Sequence, residues 1–156
     1  MSIRIRRIDH LGIAVPRLDV AARAWEALGF RVERREEVAS ERVRAAFLPV
    51  GESHLELLEP TEPGSVIARF LEKRSGVHHV CVEVEDIDAA LAELRRRGVR
   101  LVDETPRAGA GGCRVAFVHP QATGGVLLEL KQGDAAGTGA GVSAGCAAVA
   151  AGNEGA

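Results

Sequence analysis

Two histidines and two glutamates carry the chemistry that this sequence suggests. His10 lies in IDHLGIAV and His79 in VHHVCVEV, while Glu56 lies in HLELLEP and Glu129 in GGVLLEL. Each glutamate follows its histidine at a similar distance, 46 residues in the first pair and 50 in the second. Two imidazoles and two carboxylates suit a divalent transition ion such as Co, Zn, Ni or Mn. If that ion is five- or six-coordinate, four protein ligands leave positions open for polarising a substrate oxygen. Taken singly, a strand histidine is more often structural and a lone glutamate is more often solvated. Recurrence at matched places makes the metal reading the stronger one.

The matched places belong to an internal repeat. IDHLGIAVPRLDVAARAWEALGFRV, from Ile8, and VHHVCVEVEDIDAALAELRRRGVRL, from Val77, align without a gap at an offset of 69 residues. His10 falls on His79, Leu18 on Ile87, Asp19 on Asp88, Trp25 on Leu94 and Gly29 on Gly98. Leu11, Ile13 and Val15 alternate, as do Val80, Val82 and Val84, which is the period-2 signal of a strand. A helix follows in each copy. Val20, Ala24, Trp25 and Leu28 predict the apolar face of the first, and Ile87, Ala90, Leu91 and Leu94 that of the second. Asp19 and Asp86 are expected caps, and Gly29 and Gly98 expected left-handed C′ residues. Further strands are expected at Arg44–Val50 with His54–Leu58, and at Arg114–Val118 with Val126–Leu130. Ser65–Lys73, with Ser65 as N-cap, reads as the joining helix.

Strand parity sorts these side chains between two faces. The apolar set of each first strand must meet its helix, which turns His10, Gly12 and Ala14, and His79, Cys81 and Glu83, to the other side. In the closing strands Leu55 and Leu57 are core, so Glu56 faces with His54 and Leu58. Val126, Leu128 and Leu130 are core, so Glu129 faces with Leu127. Each half thus offers one His and one Glu on the face away from its helix. A pseudo-twofold between the halves lets all four converge. His78 has core-face parity and reads as structural, or as a support for its neighbour. His54 is a weaker ligand candidate, and His119 reads equally as a loop cap or a substrate-loop residue.

Length and composition bound the rest. The chain has 156 residues, a net charge of −2 and 46% hydrophobic residues, which suits one folded domain and argues against a nucleic-acid binder. No apolar run approaches a membrane span. Cys81, Cys113 and Cys146 are odd in number and unclustered, which suggests neither a disulfide framework nor a zinc knuckle and fits a reducing cytoplasm. Of the 24 residues from Gly133 to Ala156, 16 are Gly or Ala. They are expected to form a disordered tail, because they have too little apolar area to offset ordering entropy. The expected domain is 1–132, with modules at about 6–60 and 75–132 joined by the short helix.

Paired β-α-β-β-β modules with ligands on facing strands resemble the vicinal oxygen chelate superfamily. Within it the chain is similar to the methylmalonyl-CoA epimerases. The stretches that carry the resemblance are IDHLGIAV, HLELLEP, SVIARFLEKRSGVHHVCVEV, DETPRAGAGG and VAFVHPQATGGVLLEL, which span residues 8 to about 132. The resemblance implies an α+β fold: two paired modules forming a cupped mixed sheet around a metal site. It implies one divalent ion per chain, Co2+ before Mn2+, Ni2+ or Zn2+, on His10, Glu56, His79 and Glu129, the four that parity selects. It also implies a cytoplasmic homodimer that binds methylmalonyl-CoA and interconverts its (R) and (S) forms through an enediolate, with Glu129 as ligand and base. Two positions depart from the family pattern. A glutamate often treated as one of two bases aligns with Ala45, and a loop lysine often present is Gln121. Glu56, where part of the family has glutamine, is the candidate for the second catalytic carboxylate. Alternative readings are a glyoxalase I-type lactoylglutathione lyase, which uses the same ligand types, or a metal-free ligand-binding protein of the same fold.

Overall fold

The computed structural model describes residues 2–109 and 112–133. The tail expected from 133 onward lies outside the described residues, apart from Gly133 itself. The first half contains β1 (Ile5–Ala14), α1 (Leu18–Ala27), β2 (Arg34–Val38), β3 (Val43–Val50) and β4 (Ser53–Pro60). The joining helix α2 (Val66–Lys73) leads to β5 (Gly76–Val84), α3 (Ile87–Arg96), β6 (Arg107–Ala108), β7 (Arg114–Val118) and β8 (Leu127–Gln132). The eight strands form one mixed sheet in the order β2-β3-β4-β1-β5-β8-β7-β6. β1 and β5 pair antiparallel at its centre, and each pairs parallel with the closing strand of its own half, β4 or β8. This is the expected α+β plan of two related modules.

The helices divide the two faces. α1 packs Leu18 and Ala22 against Ile13, Val15 and Leu57. α3 packs Ile87, Ala90 and Leu91 against Val82, Val84 and Leu130. α2 covers part of the opposite face, where Ile67 meets Ala14, Val43, Ala45 and Leu58. Burying such aliphatic side chains contributes roughly 1.5–3 kcal/mol each relative to exposure.

Helix starts follow one device in both halves. A side chain near the end of the closing strand accepts the first helical N–H: Glu59 Oε2 from Leu18 at 3.0 Å, and Gln132 Oε1 from Ile87 at 2.8 Å. Asp86 and Ser65 cap as expected, accepting from Ala89 and Ala68. Gly29 and Gly98 take the left-handed conformation, with φ of 100° and 72°.

Five local expectations are corrected. Asp19 does not cap α1; its N-cap is Arg17, and Asp19 pairs with Arg35 instead. Val20, Ala24 and Leu28 are exposed, so the buried face of α1 is Leu18, Ala21, Ala22 and Trp25. Val126 precedes β8 and is half exposed. The strand after α3 shrinks to the Leu101–Val118 bridge and the two residues of β6. Cys81 is a free, buried thiol, whereas Cys113 is disulfide-bonded, which the cysteine spacing did not suggest.

Candidate metal centre

Strand register assembles the site in two rows across the face opposite α1 and α3. One row runs Phe47, Glu56, Gly12, His79, Leu127 through β3, β4, β1, β5 and β8. The next runs His54, His10, Cys81, Glu129, Phe117 through β4, β1, β5, β8 and β7. Each row holds one candidate glutamate and one candidate histidine, with His54 a further histidine in the second row, and the pseudo-twofold exchanges the rows. Residues directly opposite on paired strands have neighbouring Cβ atoms, so the four candidates converge.

All four are buried, at 0–1% exposure. His10 Nε2 lies 3.1 Å from His79 Nε2 and 3.5 Å from both Glu56 Oε2 and Glu129 Oε2. His79 Nε2 lies 3.4 Å from Glu129 Oε2. For metal–ligand bonds of about 2.0–2.1 Å, the edges of an octahedron or tetrahedron are about 2.8–3.4 Å. These four separations suit ligands of one ion. Among the described residues, neither oxygen of Glu129 accepts a hydrogen bond. A buried carboxylate without donors is costly unless a cation faces it. The donor set fits a divalent ion on both counts.

Gly12 is required by packing. A Cβ there would run into the His79 ring, which lies over the Gly12 backbone.

The orientation of each histidine has a local cause. In the β1–β5 pairing, β1 spends two steps from Ile8 to His10 while β5 spends one, so Asp9 is the extra residue. Farther along, β5 spends two steps from Val77 to His79 against one on β1, so His78 is the extra residue. Such bulges re-aim side chains. Asp9 and His78 are also repeat partners, 69 residues apart. Asp9 Oδ2 meets His10 Nδ1 at 2.8 Å, and His78 Nδ1 meets His79 Nδ1 at 2.9 Å. Each contact at Nδ1 leaves Nε2 aimed at the centre. Asp9 is held in turn by Lys131 Nζ at 3.2 Å and Arg7 Nη2 at 3.1 Å. His54 stacks on His10 and meets Glu56 Oε1 through Nε2 at 2.9 Å.

These neighbours pull the protonation equilibria apart. Burial opposes a charge on His10, but Glu56 and the Asp9 hydrogen bond outweigh it and raise its pKa well above the usual imidazole value. Burial, with His10 and His78 nearby, holds His79 well below it. Burial pushes Glu129 up to about 7 and Cys81 up to about 12. Burial, then Arg74, lowers His78 to about 4. Burial also resists ionisation of Asp9, yet His10 and Lys131 keep it well below the usual carboxylate range.

The four side chains selected by parity are thus brought together. His119 is a loop cap, its Nδ1 accepting from Gln121 N–H at 3.0 Å. Sequence reasoning missed Asp9 and Lys131; their signal, charged residues in otherwise apolar strand cores, was present but unread.

The chain as a whole is similar to known proteins. The family model described as the glyoxalase/bleomycin resistance protein/dioxygenase superfamily matches residues 9–117. A human mitochondrial methylmalonyl-CoA epimerase is 40% identical over 129 residues, covering 81% of this chain and 73% of that one. An ethylmalonyl-CoA/methylmalonyl-CoA epimerase from Cereibacter sphaeroides is 41% identical over 132 residues, covering 82% and 98%. A solved methylmalonyl-CoA epimerase in complex with methylmalonyl-CoA and NH4+ superposes with a TM-score of 0.75 at 40% identity, covering 84% and 96%.

Proposed function

We infer the reaction from a plain premise: this chain belongs to the glyoxalase/bleomycin resistance protein/dioxygenase superfamily and, within it, to the methylmalonyl-CoA epimerases. It is an epimerase, and its reaction is the interconversion of (R)- and (S)-methylmalonyl-CoA. The observation that carries the site assignment is the buried, donorless carboxylate of Glu129 facing two imidazole Nε2 atoms.

His10, Glu56, His79 and Glu129 would hold one divalent ion, Co2+ by first choice, with Mn2+, Ni2+ and Zn2+ as alternatives. When bound, it supplies Lewis-acid polarisation of the thioester carbonyl next to C2. The protein's own groups do the proton transfer. Inversion at C2 needs a proton acceptor on one face of the planar intermediate and a donor on the other. Glu129 and Glu56 come from opposite halves and are exchanged by the pseudo-twofold, which suits them to opposite faces. Glu129 is the first base, and Glu56 is its partner. Ala45, fully buried beneath α2, has no proton to give. The functional unit is residues 1–132, working as a cytoplasmic homodimer.

The deciding experiment is deuterium exchange at C2 of methylmalonyl-CoA in D2O, with and without chelator. Exchange that stops on chelation and returns with Co2+ or Mn2+ supports the reading. Exchange indifferent to chelator removes the metal role, and no exchange under any metal removes the reaction.

A further inference from the structure

Cys81 has no part in this mechanism, yet it lies on the floor of the site. It is directly opposite His10 on one neighbouring strand and Glu129 on the other. It is a free, fully buried thiol. The ligand atoms of His10, Cys81 and Glu129 all lie within 4.8 Å of one another. The equivalent place in the other row is Gly12, between Glu56 and His79, where no side chain fits beneath the His79 ring. The two rows are therefore unequal: one presents two donors, the other three. Glu129, at the far end of the three-donor row, is the buried carboxylate that accepts no hydrogen bond among the described residues. That is independent of the thiol and marks this row as facing a cation.

We propose that His10, Cys81 and Glu129 form a second, sulfur-containing donor set that captures thiophilic divalent ions, Cd2+ and Zn2+, in preference to harder ions such as Mn2+. The inference rests on the metal-centre reading above. His10 is common to both sets, so a single ion occupies one set or the other. An ion drawn to the sulfur keeps His10 and Glu129 and gives up Glu56 and His79. The thiol loses its proton to solvent as the sulfur–metal bond forms, which is the ordinary course for a coordinating cysteine. A soft thiolate favours thiophilic ions, whereas carboxylate and imidazole alone accept Mn2+. Such an ion also leaves Glu56, the carboxylate needed on one face of C2. Cd2+ therefore occupies the protein without supporting turnover.

The test uses the full chain stripped of metal, as wild type, Cys81→Ser and Cys81→Ala. Cd2+ is added, and the ultraviolet sulfur-to-cadmium charge-transfer band is read, followed by competition against Mn2+. The expected result is a band in the wild type that both variants lose. Cd2+ affinity should fall by roughly 10- to 100-fold or more, while Mn2+ affinity is unchanged. With the Cys113 disulfide kept intact in every variant, a band that survives in Cys81→Ala does not come from Cys81 and overturns the proposal. Normal Mn2+ binding with no Cd2+ band in the wild type also overturns it, and leaves the metal centre standing. Failure of the wild type to bind either ion removes the metal centre itself, and the sulfur set with it.

Discussion

Glu56 is engaged at both oxygens, Oε1 by His54 Nε2 at 2.9 Å and Oε2 toward His10 Nε2 at 3.5 Å. Glu129 approaches His10 and His79 through Oε2 alone, at 3.5 and 3.4 Å, and neither of its oxygens accepts a hydrogen bond among the described residues. The two carboxylates therefore play related but unequal parts: Glu56 is braced, and Glu129 is free to reorient toward a substrate proton. Coordination lowers the basicity of a carboxylate, so a ligand that also serves as a base must detach or turn to take the proton. Glu56→Gln isolates this second duty, because the amide keeps the size and one ligating oxygen but cannot accept the proton. Metal content should stay near one ion per chain while epimerisation falls by roughly 10²-fold or more. Deuterium exchange at C2 from one stereoisomer should survive better than net inversion, since Glu129 remains. Near-normal epimerisation in this variant would reduce Glu56 to a ligand.

Between residues and fold stand two of the three bulges of the β1–β5 seam, those at Asp9 and His78. Each places its extra residue, Asp9 or His78, against Nδ1 of the next residue, a proposed ligand histidine. Asp9→Asn keeps the shape but removes the charge that polarises His10. Metal affinity should fall by roughly 10- to 100-fold with the fold retained, as read by titration against a competing chelator alongside circular dichroism. Unchanged affinity would make the Asp9 contact incidental. Gly12→Ala acts on the other ring: its methyl must displace His79. Metal content and turnover should drop together while secondary structure persists; a fully loaded variant would show that the ring can yield. The same elements show what was legible in the sequence. Period-2 alternation fixed which face His10, Glu56, His79 and Glu129 share, because parity is local. The bulges were not legible, since two residues against one is a relation between strands distant in sequence. Local apolar periodicity chose Val20, Ala24 and Leu28 for the face of α1, and these are exposed. The 69-residue offset carries Ile87, Ala90, Leu91 and Leu94 onto Leu18, Ala21, Ala22 and Trp25, the face that is buried. The rotation of α1 is set by tertiary constraints, Leu18 N–H on Glu59 and Trp25 in the core, which the second half spells out more plainly than the first.

At the scale of the whole molecule, the site spans the seam between the halves. His10 and Glu56 come from β1 and β4, His79 and Glu129 from β5 and β8, so an ion held by all four ties the halves together. Without a cation, the cluster relieves its buried charge by holding protons: His10 is pushed up by Glu56, and Glu129 rises to about 7 through burial. A divalent ion replaces those protons and binds only the native arrangement. At a free concentration 100 times its Kd it adds about 2.7 kcal/mol to stability. For a domain of this size that raises Tm on the order of 10 °C. Binding requires neutral imidazoles and ionised carboxylates, so protons compete with the ion. The increment should be full only above the raised pKa of His10 and the Glu129 value of about 7, and shrink as pH falls through them, not as pH rises. Melting can be followed through Trp25, the chain's single tryptophan, which packs edge-on to Phe30 at 5.0 Å. Wild type should lose the increment on adding chelator and regain it with Mn2+ or Co2+. His79→Ala should show no increment with Mn2+ or Co2+ at any pH, because one half then lacks its imidazole. A wild-type Tm that ignores both ion and chelator at about pH 8 would mean that no ion bridges the seam.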